Sequence, residues 1–154
     1  MSLNKIIIGF IVILLLFSAF VVLQIDKTPK PPSTITFDNQ TYNVELAKTQ
    51  AQQQQGLSGR NSLPQDQGML FVFKTPDRYA FWMKGMKFPL DIIFINNNKI
   101  VTIYRNVPVP KDPKATNLPV YLPTQPANYA LEINAGQALK HNFKNGDTVK
   151  IVLK

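Results

Sequence analysis

Eighteen consecutive residues, Ile6 to Leu23, carry no charge. Coiled as a helix, such a run reaches ~27 Å, close to the hydrocarbon thickness of a bilayer. It constrains the fold more than any other feature, because a helix that is apolar all round must be covered by lipid or by surrounding protein. Only about 120 residues of separate domain remain to do the covering. A cleaved signal peptide would carry small residues three apart before its cut, whereas Phe17 and Phe20 flank Ser18-Ala19. Residues 6–25 therefore read as a retained transmembrane signal anchor. Lys5 lies on one side and Lys27, Lys30 and Asp26 on the other, so charge scarcely separates the two orientations. A tail as short as residues 1–5 ordinarily stays cytoplasmic, which sends the rest outward. Pro29, Pro31 and Pro32 make residues 26–34 an extended, semi-stiff stalk.

Residues 35–154, beyond the stalk, have the apolar content of one globular domain. The chain carries a net charge of +8, and the part beyond residue 34 still carries +6. Zero cysteines exclude a disulfide framework, a thiol nucleophile and cysteine-ligated zinc, and the single histidine excludes a multi-histidine metal site. No cofactor is expected.

Ile35 to Phe37 and Tyr42 to Leu46 are short β-type runs around Asp38-Asn39-Gln40, which reads as a hairpin. Thr49 with Gln52 forms a capping box, and Gly56 supplies the stop for one short helix with a solvated glutamine face. Strand formers then crowd Met69 to Phe73, Tyr79 to Lys84, Leu90 to Ile95 and Ile100 to Tyr104, which predicts an antiparallel meander. The Asn96-Asn97-Asn98 turn should pair the last two directly. Val107 to Pro126 holds six prolines and reads as a long ordered loop over one end of the β core. Tyr129 to Ile133 returns as a strand, Gln137 to Asn142 as a helical turn, and Thr148 to Leu153 as the final strand. The predicted fold is mainly β, α+β in the broad sense. It is a single compact antiparallel β barrel or sandwich with one or two short helices.

A resemblance adds to this reading. Gly56-Leu57, Arg60, Leu63, Gly68 to Phe73, Phe81-Trp82-Met83-Lys84, Pro89 to Ile95, Leu131 to Gly136 and Gly146-Asp147 stand in an order that resembles the domain of unknown function 192. The resemblance implies a compact, mostly β domain that commonly follows a signal sequence or anchor, and it brings no established activity, substrate or cofactor. Gly85-Met86 stand where the family pattern continues with Asn-Thr.

Strand parity over Tyr79 to Lys84 groups Trp82 with Lys84. Asp91 and Glu132 each interrupt an apolar strand, where an unpaired charge is costly, so each needs a cationic or backbone partner. Lys84 is the expected neighbour of Asp91 across Gly85 to Pro89, and Arg60 the expected partner of Glu132. Arg60, Trp82, Lys84, Asp91 and Glu132 are thus expected to converge on one polar patch, either a structural ion-pair network or a ligand site. A catalytic carboxylate pair is the enzymatic alternative. His141 has no sequence neighbour to orient it as a base, and no nucleophile elbow or phosphate-cradling loop occurs. Lys74, Arg78, Lys84 and Lys87 interleave with Tyr79, Phe81, Trp82 and Phe88, yet core packing accounts for many such aromatics, and nucleic acid is not the expected partner. The basic surplus fits anionic lipid headgroups, an anionic envelope polymer or another envelope protein. The functional expectation is a membrane-tethered extracytoplasmic binding or accessory module, the alternative a hydrolase acting on an envelope polymer.

Overall fold

The computed structural model describes Leu14, residues 32–112 and residues 115–154. The expected tail and anchor, and nearly all of the stalk, lie outside the described residues. Among those described, no helix is long and apolar enough to cross a membrane.

The chain enters through β1 (Ser33–Phe37) and β2 (Gln40–Ala47), which pair antiparallel across the two-residue turn Asp38-Asn39. Asp38 takes the positive φ of 45° that this turn demands and that a short polar side chain tolerates. Helix α1 (Gln50–Gln55) begins with the capping box read from the sequence: the Gln52 N–H donates to Thr49 Oγ1 while Gln52 Oε1 accepts from the Thr49 N–H. It buries none of its residues. The amide of Gln53 ties it to the sheet by donating to the carbonyls of Ala47 and Val72.

β3 (Gln67–Asp77) then runs parallel to β2, with Leu46 opposite Leu70. The expected all-antiparallel sheet is corrected here. The nineteen residues between Ala47 and Gln67 carry the chain back to the end where β2 began, which is the crossover a parallel pair requires. β4 (Leu90–Asn96) and β5 (Lys99–Val107) form the expected hairpin, with Asn97 and Asn98 both at positive φ. β6 (Ala127–Asn134) inserts between β3 and β4, helix α2 (Gln137–Lys140) comes next, and β7 (Val149–Val152) pairs with β1. The strand order is β5-β4-β6-β3-β2-β1-β7.

The expected strand Tyr79 to Lys84 does not form. β6 occupies the edges of both β3 and β4 that it would have joined. Its backbone turns instead to the proline-rich loop, where Phe81 and Tyr121 exchange N–H···O bonds of 3.0 and 2.8 Å. That loop packs against β5 as well, since the Tyr104 hydroxyl donates to the Leu122 carbonyl and Thr102 Oγ1 accepts from the Thr124 N–H.

The sheet curls into a half-barrel whose two edge strands meet at one end. The Ile100 N–H donates to the Asp147 carbonyl, the Gly146 N–H to Ile100 and the Val149 N–H to Asn98. All seven strands contribute side chains to the inner core, among them Ile35, Tyr42, Leu70, Ile93, Ile100, Leu131 and Val149. Alternation sends Met69, Phe71, Ile92, Phe94 and Ala130 to the opposite face, where Leu57, Leu63, Phe81 and Met83 cover them as a second apolar layer.

Asp91 belongs to the inner side and is completely buried. Its carboxylate accepts from three backbone N–H groups, those of Asn106 (2.7 Å), Gly136 (3.1 Å) and Ala138 (2.7 Å). It therefore takes the backbone solution and not the expected Lys84. One side chain thereby holds the end of β5 and the start of α2 against β4. Replacing Asp91 by Ala orphans one buried and two half-buried donors, and the free energy of unfolding should fall by about 3 kcal/mol. A urea denaturation midpoint equal to that of the wild type would contradict this role.

Candidate functional site

Glu132 lies one residue from the inner-facing Leu131 and Ile133, so alternation turns it to the outer layer. It sits opposite Met69 on one neighbouring strand and Ile92 on the other. Only 5% of the residue is exposed, and its Oε2 has no hydrogen-bond partner among the described residues. Burial alone pushes its carboxyl up from 4.5 to about 8. At neutral pH the group is mostly an acid, a donor as well as an acceptor.

A pocket of about 230 Å³ opens beside it. One wall is α1 and the turn after it, with Gln50, Gln53, Gln54, Gly56, Leu57 and Ser58. The others are Phe71 and Phe73 of β3, and Tyr79, Phe81, Trp82, Lys84 and Met86 of the segment that failed to become a strand. Tyr79 is stacked on Phe73, with ring centroids 3.7 Å apart, and Phe81 meets Phe71 edge-on. Both are fixed by packing. Trp82 is the exception, 52% exposed.

Two contacts hold the mouth together. The Ser58 hydroxyl donates to the Lys84 carbonyl at 2.6 Å, and the Gly59 N–H donates to the Gly85 carbonyl. Gly85, at φ 68°, has no room for a Cβ against the Ser58 hydroxyl. Gly56 serves twice: its φ of 49° ends α1, and a Cβ there would stand 3.3 Å from the ring of Phe71 and 3.8 Å from Oε2 of Glu132.

The five residues expected to converge separate into three places. Trp82, Lys84 and Glu132 line the pocket together. Trp82 and Lys84 share it although the strand whose parity grouped them is absent; the segment still alternates, burying Phe81 and Met83 and exposing Trp82 and Lys84. Asp91 faces the other side of the sheet. Arg60 pairs with Glu45 of β2 and not with Glu132, its guanidinium forking onto both carboxylate oxygens at 2.5 and 2.7 Å. That bond holds the Glu45 carboxyl below its usual range and raises Arg60, and the exposed pair is worth at most ~1 kcal/mol. Glu45, exposed on an alternating strand, gave no sign in the sequence that it would claim Arg60. The glutamines of α1 were legible as a solvated face, but nothing local marked them as a pocket wall. Among the described residues no group of three His, Asp or Glu could hold a metal ion.

The model of a family described as uncharacterized ACR, DUF192, matches residues 33–151. The chain belongs to the DUF192 family. The match spans every strand from β1 into β7, so the half-barrel and its pocket are both DUF192 territory. Two solved structures share the fold. A protein of unknown function from Novosphingobium aromaticivorans is 35% identical over 77% of this chain and 83% of its own, with a TM-score of 0.67. A candidate transcription regulator from Sinorhizobium meliloti is 28% identical over 80% of this chain and 98% of its own, with a TM-score of 0.65. Among curated proteins nothing matches.

The raised Glu132 carboxyl fixes a sign. Between about pH 4.5 and about 8 the unfolded chain has released a proton that the folded chain retains, so stability falls as pH rises through that window. Glu132→Gln removes the dependence. The variant should gain on the wild type by up to ~1.4 kcal/mol per unit across the window and by no more above it. Parallel stability–pH curves from urea denaturation would contradict a buried neutral acid.

Proposed function

We propose that the protein is a membrane-tethered binding or accessory module of the cell envelope that engages its partner through the pocket between α1 and residues 79–86. One observation carries this reading: a buried carboxyl with an oxygen unpartnered among the described residues lines an aromatic-walled pocket whose tryptophan is left half exposed. Exposed apolar rings and orphaned buried polar groups are both costly in a resting fold, and a ligand that covers the ring and bonds the acid removes both costs. The tether rests on the apolar run of residues 6–23 and the prolines after it, and the net charge of +8 favours an anionic polymer as the surface approached.

The hydrolase alternative loses its second group. Glycosidic acid–base chemistry needs two carboxylates flanking one bond, and Asp91 lies across the sheet with its oxygens occupied by backbone donors. Binding of single-stranded nucleic acid uses successive exposed aromatic faces. Phe81 is buried, Tyr79 is stacked on Phe73, and Phe88 packs on the outer core, so Trp82 is the one face of that group left free.

The test is co-sedimentation of the full-length protein with the purified anionic polymer of its own cell envelope. The protein should sediment with it, and Trp82→Ala should weaken binding about tenfold while leaving the melting temperature within a few degrees. Equal binding by Trp82→Ala would contradict the pocket as the contact. Release of soluble polymer fragments during incubation would favour the hydrolase.

A further inference from the structure

Apart from the ammonium of Lys84, the pocket offers polar groups that both donate and accept. Gln50 and Gln54 are exposed amides at the rim, and Glu132 is an uncharged acid at the floor; each can donate and accept. Between them stand the rings of Phe71, Phe81 and Trp82. Resting on the binding reading above, we propose that the pocket receives one uncharged pyranose ring of a glycan, its C–H face on Trp82 and one hydroxyl hydrogen-bonded to Glu132.

A pyranose presents an apolar C–H face beside hydroxyls that donate or accept as the site requires, which matches amides and a carboxylic acid better than any ligand of fixed charge. A cationic ligand is disfavoured: Lys84 lines the same pocket and the chain carries +8. An anion would find Lys84 as a single point charge, with Arg60 already forked onto Glu45. At about 230 Å³ the pocket is smaller than the roughly 300–1,000 Å³ of drug-sized sites, which limits it to one ring and leaves the rest of a polymer over exposed surface.

The titratable groups that share the pocket with Glu132 are Lys84 and Tyr79; its cross-strand neighbours, Met69 and Ile92, are neutral. Binding that uses the acid form weakens once that form is lost. Burial places the loss above about pH 8.

The chain has one tryptophan, so its fluorescence reports on the pocket mouth alone. Full-length protein, free of sugar-headed detergent, is titrated with chitotriose, cellotriose and maltotriose as uncharged probes. At least one should give a saturable change at neutral pH, with affinity falling about tenfold per unit above about pH 8. Glu132→Gln, which keeps a donor and never ionises, should bind within about threefold of wild type at neutral pH and lose the decline. Glu132→Ala should lose binding. If n-butylammonium perturbs Trp82 and tightens as pH rises while no saccharide acts, the sugar inference is overturned and the pocket reading stands. If no probe perturbs Trp82 and the envelope polymer does not either, both fall.

Discussion

The insertion of β6 between β3 and β4 is the constraint on which the rest of the molecule depends. It satisfies the backbone of both neighbours with one strand, so every residue of Ala127–Asn134 is committed to a face by its position alone. Leu131 and Ile133 close the inner core, and Glu132 between them is driven to the outer face with no choice of register that would free it. The same insertion denies Tyr79 to Lys84 a strand partner. That segment is then available to fold over the outer face, bonded to the proline-rich loop through Tyr121, and to become a wall of the pocket. A one-residue slip of β6 would turn Glu132 into the barrel and take Leu131 and Ile133 out of the inner core, which couples the pocket to the stability of the whole sheet.

Two carboxylates that look alike in the sequence end in opposite conditions. Asp91 and Glu132 each stand among strand hydrophobes, and each is almost wholly removed from solvent. Asp91 sits where a hairpin strand ends and a helix begins, so backbone donors are at hand and all of its oxygens are used. Glu132 sits mid-strand, where neighbouring N–H groups already serve the ladder. It has to meet burial by keeping its proton or by meeting something from outside. One acid fastens the fold, and the other keeps an oxygen without a partner among the described residues.

Local features were legible and non-local ones were not. The capping box of Thr49 and Gln52, the positive-φ asparagines of the β4–β5 turn and the glycine stop at Gly56 are written within a few residues of where they act. So was the need of Asp91 and Glu132 for partners. That Asp91 found backbone donors and Glu132 kept an oxygen unpartnered among the described residues depends on strand order, which hydrophobic alternation leaves open: the same alternation serves a meander and a sheet with β6 inserted. The parallel pairing of β2 with β3 was hidden for the same reason, since a short capped helix between two strands is compatible with either direction. Trp82 and Lys84 were grouped correctly because in–out alternation over Phe81 to Lys84 survives without a ladder. Arg60 was misassigned because Glu45, an ordinary exposed strand residue, competes for it at short range.

The central claim is that Glu132 is a neutral acid in the folded protein at physiological pH, and the proposed binding role of the pocket rests on it. The most direct measurement is the titration of its side-chain carboxyl carbon by 13C NMR, assigned by its disappearance in Glu132→Gln. The resonance should move with a midpoint near 8, far above the 4.5 of an ordinary glutamate. A midpoint near 4.5 would mean that the carboxylate finds water or a cation that the fold does not show, and the account of the pocket would fail with it.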